Sequence, residues 1–394
     1  MSRISAATVF EKIPETMSLS TLSLVRVIIK RTRGNSNGAV RLIHQLDAAE
    51  RLLKYSLAIR HRELKRLVIF VTDSCHSKCL HCGIWRIKNP VFLPFSTFQR
   101  VVNEIDNSVD IILTGGEALE HPQIEKMISL LISQKKSFTL LSNGNYPDKL
   151  IRIVRKYHMR EIILSCDGLA ETYRRMRGVD WFPNIQRIAT ELRGECQIAL
   201  TYVVSFWNSR RDLIDVTNFS IENGTSLTVG LHGDCASLSS KLPPKLKKLY
   251  QVSDLIRDNL ARRYYSLYSS WLEGKVFLPC FSVRYTGTVY ADEKFGICEA
   301  KDIIVGNLHE RGMKEIWDDP MTRKIQDNLL RCNGCWLTHY RRNDVVVSEL
   351  MAKIVPTSVL NRLVGDFDWE KVSGPISLPS ASESNELIDL EVRS

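Results

Sequence analysis

Six short runs rich in Val, Ile, Leu, Phe and Thr recur between residues 66 and 231, separated by stretches of helical period. They are Leu67–Val71, Val109–Thr114, Ser137–Ser142, Glu161–Cys166, Gln197–Val203 and Ser226–Leu231. Each is bounded by polar or Gly positions, as a strand should be. Helical patterns lie between them, at Thr97–Ile105, Gln123–Ser133, Tyr146–Tyr157, Asn184–Leu192 and Arg210–Asn223. Strands that alternate with helices predict parallel β/α units. Right-handed crossovers curl such a sheet into a full or partial barrel. The expected core, residues 65–235, is therefore α/β, a partial (β/α)6 TIM-like barrel. Reactive groups then belong on the loops at the strands' C-terminal ends.

The flanks differ from this core. Residues 1–64 form an expected basic helical extension, with eleven Lys or Arg against five Asp or Glu. Within it, residues 17–33 mix apolar and basic positions, a pattern suited to an anionic membrane surface or to covering an edge of the core. Residues 236–275 read as a polar helical connector. Residues 276–340 hold four cysteines and several glycines and read as a small cysteine-rich α+β domain. A C-terminal helix is expected within 341–372, and a disordered Ser/Pro/acidic tail over 373–394. The chain carries ten cysteines and a net charge of +10. No apolar run approaches the ~20 residues that a spanning helix needs. No secretory pattern opens the chain, so the cysteines are expected in a reducing, cytoplasmic setting, where thiolates serve metals or redox chemistry. Nothing here points to nucleic acid.

Cys75, Cys79 and Cys82 fall within eight residues, directly after the first expected strand. Thiolates suit zinc or iron–sulfur clusters. A closed zinc site wants four ligands, and His76 or His81 could supply the fourth. A [4Fe–4S] cluster on three thiolates instead leaves one iron open to a ligand. Further on, Gly115-Gly116-Glu117 follows the second strand, where two glycines let backbone approach a ligand closely. Ser142-Asn143 ends the third strand, Ser165 and Asp167 the fourth, and Arg177 lies in YRRMRG. A second set, Cys280, Cys298, Cys332 and Cys335, can close a zinc site or fully ligate a cluster.

The run CHSKCLHC resembles the cluster loop of the radical S-adenosylmethionine (SAM) superfamily, although His81 stands where that family is usually aromatic. LTGGEALEHP resembles its GGE motif, SNG its Thr-Asn-Gly turn, and SCDG its Ser-x-Asp-Gly motif. The resemblance implies a site-open [4Fe–4S] cluster on Cys75, Cys79 and Cys82. It also implies SAM contacts from Gly115, Gly116, Glu117, Ser142, Asn143, Ser165, Asp167 and Arg177, and more weakly from Thr201 and Asn208. The later cysteines, with GTVY, VGNL, KEIW and CNGCW, resemble the SPASM/Twitch-type extension. Its full form has seven cysteines, so Cys280, Cys298, Cys332 and Cys335 imply one auxiliary [4Fe–4S] cluster. Cys196 and Cys235 are expected to be structural, with a substrate-side place for Cys235 in HGDC as the alternative, and Cys166 is expected to be buried.

The implied activity is reductive SAM cleavage to a 5′-deoxyadenosyl radical. That radical would take hydrogen from a small sugar- or cyclitol-like molecule in a net oxidation. Peptide maturation and envelope-lipid chemistry are the alternatives. The implied partners are a small-molecule or peptide substrate and an electron donor such as flavodoxin or ferredoxin.

Overall fold

The computed structural model describes residues 59, 61–233, 235, 252, 255 and 259–354. The basic stretch 17–33, nearly all of the 1–64 extension, most of 236–258, residues 355–372 and the 373–394 tail lie outside them. Six parallel strands appear where the apolar runs predict them. They are β1 (Arg66–Phe70), β2 (Asp110–Thr114), β3 (Phe138–Ser142), β4 (Glu161–Ser165), β5 (Gln197–Val204) and β6 (Ser226–Leu231). Between them run α1 (Phe95–Glu104), α2 (Ile124–Ser133), α3 (Pro147–Tyr157), α4 (Ala170–Arg177), α5 (Phe182–Glu191) and α6 (Arg210–Asn223).

Period-2 alternation sorts each strand's side chains onto two faces. Leu67, Ile69, Ile111, Leu113, Leu140, Ile162, Leu164, Leu200 and Tyr202 join the core shared with the helices. Val68 and Phe70 belong to a second cluster on the interior face, packed with Ile112 and the thiols Cys75 and Cys82. The alternate positions Thr114, Thr139, Leu141, Ile163, Thr201, Thr228 and Gly230 are only half-buried, so the interior of the curled sheet is open.

The cysteine-rich segment is continuous with this sheet. Strand β7 (Thr286–Val289) pairs in parallel with β1, while β8 (Lys294–Cys298) and β9 (Ile303–Asn307) follow antiparallel. The result is one nine-stranded sheet in the order β6-β5-β4-β3-β2-β1-β7-β8-β9. Gly287 makes this possible, because a Cβ there would lie 2.8 Å from the Phe295 ring. Tyr290, just past β7, stacks on Phe70 at 5.6 Å. Helices α7 (Asn259–Leu272), α8 (Met313–Asp318), α9 (Pro320–Leu329) and α10 (Thr338–Ile354) complete the described elements. The polarity expected of the connector does not hold for α7. It buries Tyr264, Tyr265, Leu267 and Tyr268, and Tyr264 and Trp271 pack on Trp336 at 5.4 Å.

Candidate functional site

The loop after β1 is fixed from both sides by backbone contacts that only glycine allows. On one side, the Gly116 N–H donates to Thr72 O (2.7 Å) and the Glu117 N–H to Ser74 O (2.7 Å). A Cβ at Gly115 would lie 2.3 Å from Thr72 O, and one at Gly116 only 2.1 Å from Ser74 O. On the other side, the Lys78 and Leu80 N–H groups donate to Arg177 O (2.8 Å) and Met176 O (2.9 Å) at the end of α4. Gly178 caps that helix at φ +66°, and a Cβ there would sit 2.7 Å from Lys78 Cβ. Trp85 closes the loop from beneath, donating Nε1–H to Cys82 O (2.9 Å) and Cys79 O (3.3 Å).

The side chains expected around this loop converge on it. Asn143 donates from Nδ2 to Ser77 Oγ (3.0 Å) and to Cys75 Sγ (3.7 Å), and its carbonyl accepts from Tyr173 (2.9 Å). Arg177 donates to Cys79 Sγ (3.7 Å) and pairs with Asp167 at 2.7 Å, both side chains being buried. Asp167 also accepts from the Val203 N–H (2.7 Å). Asn208 donates to Asp167 O (3.3 Å) and Val203 O (2.8 Å), so it holds two strand ends together. Ser165, Thr201 and Thr228 stand in one row across β4, β5 and β6 on the interior face.

Glu117 is tied into the protein rather than left free. Its Oε1 accepts from the Leu119 N–H (3.1 Å) and Ser142 Oγ (3.0 Å), and its Oε2 from the Asn143 N–H (2.7 Å). It therefore clasps the loops after β2 and β3, and keeps lone-pair capacity on Oε2 for a cation. Burial pushes its carboxyl up to about 7, against the bonds from Asn143, Leu119 and Ser142.

The donor set fits a cluster better than a zinc ion. His76 is engaged by Glu120 at 2.5 Å, and His81 faces the His232 ring at 6.1 Å. Burial lowers the His81 pKa to about 4. Among the described residues no three His, Cys, Asp or Glu side chains converge as a single-ion site. Cys75 and Cys79 receive weak N–H donors, from Asn143 and Arg177, of the kind that cluster sulfurs accept. Burial pushes Cys75 up to about 12 and Cys79 to about 11, and it raises Cys82 as well. Bound iron would have to supply the positive charge that holds them as thiolates.

The second cysteine set surrounds one cavity, lined by Cys280, Cys298, Cys332 and Cys335 with Lys301 and Arg341. Strand β8 is antiparallel to β7, so Cys298 lies towards the end of the sheet where β1 begins. The two cysteine sets thus lie off opposite ends of the β1–β7 ladder, whose four paired residues span about 13 Å. Arg341, on α10, scaffolds the second set. It donates to Pro279 O (3.1 Å), Leu278 O and Asn333 Oδ1 (3.2 Å), and pairs with Asp344 at 2.9 Å. Asp344 accepts from the Phe281 and Ser282 N–H groups, each at 3.1 Å. Burial raises its pKa to about 6, with Arg341 opposing. Sequence reasoning missed this pair, because an i,i+3 Arg/Asp couple reads as a solvated helix face. Cys166 is buried as expected. Cys235 is buried against Leu337 and Tyr340, beside Cys335.

Comparison with known proteins agrees with this geometry. A profile described as the radical SAM superfamily matches residues 69–204, and the SPASM profile, an iron–sulfur cluster-binding domain, matches 275–336. A GTP 3′,8-cyclase of Nautilia profundicola is 21% identical over 70% of this chain and 97% of its own length. Streptococcus suis SuiB bound to S-adenosylmethionine superposes with a TM-score of 0.54 at 14% identity, covering 78% of each chain. SuiB bound to its precursor peptide SuiA gives 0.55 at 15% identity, covering 74% of this chain and 73% of that one. These structural likenesses speak to the fold.

Proposed function

This chain is a radical SAM superfamily protein with a SPASM-type iron–sulfur domain, and from that premise we propose that it oxidises a small polar molecule inside the barrel. Family membership implies SAM and a [4Fe–4S] cluster, and the SPASM match implies auxiliary iron–sulfur binding. Cys75, Cys79 and Cys82 hold the first cluster, and Cys280, Cys298, Cys332 and Cys335 the second. When bound, these groups supply a 5′-deoxyadenosyl radical that takes one hydrogen atom, and an acceptor for the electron left on substrate.

The protein's own residues bind, orient and exclude water. Gly115 and Gly116 bring backbone against the cysteine loop, and Glu117 offers Oε2 to an ammonium. Ser142, whose hydroxyl is spent on Glu117, positions that carboxylate. Asn143 and Arg177 donate towards the cysteine sulfurs. Asp167 holds Arg177 in place, so the guanidinium keeps its aim without water. The hydroxyl row Ser165, Thr201 and Thr228 offers hydrogen bonds to a ribose or to a hydroxylated substrate. For a carbinol substrate the loaded groups would take one C–H hydrogen atom and one electron, and the hydroxyl proton would pass to solvent.

The observation that carries this reading is the placement of the two cysteine sets off opposite ends of one ladder, beside an open interior that presents the hydroxyl row Ser165, Thr201 and Thr228. The test is to offer polyol and aminocyclitol mixtures to the anaerobically loaded enzyme and follow 5′-deoxyadenosine. One SAM consumed per carbonyl formed supports the oxidation. Regeneration of SAM at turnover would mean epimerisation or isomerisation instead. Release only with a peptide would favour maturation chemistry.

A further inference from the structure

The two cysteine sets differ in the charge placed beside them. At the first, the Arg177 guanidinium is matched by the buried Asp167 carboxylate at 2.7 Å. At the second, Arg341 is matched in the same way by Asp344 at 2.9 Å. The second set has one cation more. Lys301 lines its cavity together with Cys280, Cys298, Cys332 and Cys335. Gly334, inside the CNGC run, leaves room for it. A Cβ there would lie 3.2 Å from Lys301 Cε, and 3.6 Å from both Lys301 Nζ and Cys332 Sγ. The aliphatic stem thus lies across the turn between Cys332 and Cys335, while the residue remains exposed at its charged end. Its backbone is fixed as well, because the Ala300 and Lys301 N–H groups donate to Cys298. Among the described residues no carboxylate pairs with Lys301. Glu299 is turned onto Thr288 (2.9 Å) and His339 (3.3 Å). Asp302 lies beside Tyr290 and Lys294.

We propose that Lys301 sets the reduction potential of the cluster on Cys280, Cys298, Cys332 and Cys335, and so biases this site to accept an electron. The inference deepens the proposed oxidation and rests on its assignment of an auxiliary cluster to these cysteines. Reduction brings one electron, and hence one negative charge, onto the iron–sulfur group, with no bond in the protein made or broken. The electron comes from the substrate carbon that has lost its hydrogen atom, which is oxidised as the site is reduced. A fixed positive charge favours the reduced form. The two Arg–Asp pairs, each neutral as a pair, leave either site nearly unbiased. Charge and hydrogen bonds around the sulfurs are the levers by which a protein tunes such potentials. One unit charge at roughly 6 Å, in a setting between protein and water, shifts the reduction equilibrium about tenfold. Tenfold corresponds to ~59 mV for one electron. Lys301 acts through the cluster, so it is a positioning residue and not a catalytic one.

The test is an anaerobic redox titration of the reconstituted full chain, without substrate, followed by electron paramagnetic resonance. Two one-electron steps are expected, and the step that survives in Cys75→Ala/Cys79→Ala/Cys82→Ala is the auxiliary one. Lys301→Gln should lower that step by ~59 mV, the tenfold change, and Lys301→Glu by about twice as much. Lys301→Arg keeps the charge and should leave the step in place. The step of the other site should not move, and iron should stay at about eight per chain. Lys294, an exposed cation of the same segment, is paired with Asp292, so Lys294→Gln should move neither step. An auxiliary step unmoved by Lys301→Gln and Lys301→Glu overturns the proposal. So do equal shifts of both steps, or an equal shift with Lys294→Gln, since net charge alone would then be read. So does loss of iron from every Lys301 variant, Arg included, which would make the residue structural. A full chain with about four irons and a single step would sink the auxiliary assignment itself, a distinguishable failure. Failure to oxidise any polyol, with the titration as predicted, would sink the proposed reaction and leave the role of Lys301 standing.

Discussion

Replacing Arg177 with Met would leave the Asp167 carboxylate, fully buried, without the cation that now lies 2.7 Å away. Breaking a buried pair from one side costs about 3–5 kcal/mol, because the remaining charge is uncompensated. The lower end applies here, since the Val203 N–H still serves Oδ1 at 2.7 Å. Asp167→Asn alone strands Arg177 in the same way. The double variant Arg177→Met/Asp167→Asn leaves no buried charge, and the Asn oxygen can keep the Val203 bond. Its loss should be about 1–2 kcal/mol against about 6 kcal/mol for the two single variants summed, giving a coupling between the sites of about 4–5 kcal/mol. Anaerobic urea unfolding of all four forms measures this. SAM cleavage should follow a different pattern. Arg177 also donates to Cys79 Sγ at 3.7 Å, so the stable double variant should still lose cleavage. Additive losses among the four forms, or full cleavage by the double variant, would refute the reasoning.

Gly178→Ala places a Cβ 2.7 Å from Lys78 Cβ at φ +66°, so about 1–2 kcal/mol of stability and most SAM cleavage should be lost. Normal cleavage and an unshifted melting curve would show that this contact does not fix the cysteine loop. Asp344→Asn removes the partner of buried Arg341 at 2.9 Å. Iron content should fall from about eight to about four per chain while 5′-deoxyadenosine release persists, as should also happen with Cys280→Ala or Cys335→Ala. Iron uptake should speed up with pH between about 6 and 8.5, with protons released that an indicator dye can count. The sign follows from Cys75 near 12 and Cys79 near 11, thiols that stay protonated until iron displaces the proton. Uptake indifferent to pH would mean the thiols are already ionised.

The barrel strands were legible because each apolar run serves two faces at once. Leu67 and Ile69 meet helices while Val68 and Phe70 meet the interior, and that alternation is written locally. Strand β6 falls over Ser226–Leu231, as expected, for the same reason. The pairing of β7 with β1 was not legible, because it joins Arg66 to Thr286 across more than two hundred residues. Residues 286–290 show a hairpin, and nothing local says which edge the hairpin extends. Helix α7 was misjudged because Tyr and Trp read as amphipathic, and only Trp336 shows which face they bury. Among site residues, the cysteines and glycines were readable from spacing. The clasping bonds of Glu117 were not, since Ser142 and Asn143 approach it from another strand. Trp85 gave no signal beyond its closeness to Cys82, and its anchoring to two carbonyls emerges only in three dimensions.

Iron and acid-labile sulfide per chain, measured with SAM cleavage on the full chain and on Cys75→Ala/Cys79→Ala/Cys82→Ala, test the central claim most directly. The account predicts about eight irons for the full chain and about four for the triple variant. It predicts 5′-deoxyadenosine from the first and none from the second. About two zincs with no brown chromophore, or cleavage that survives the loss of these three cysteines, would contradict it.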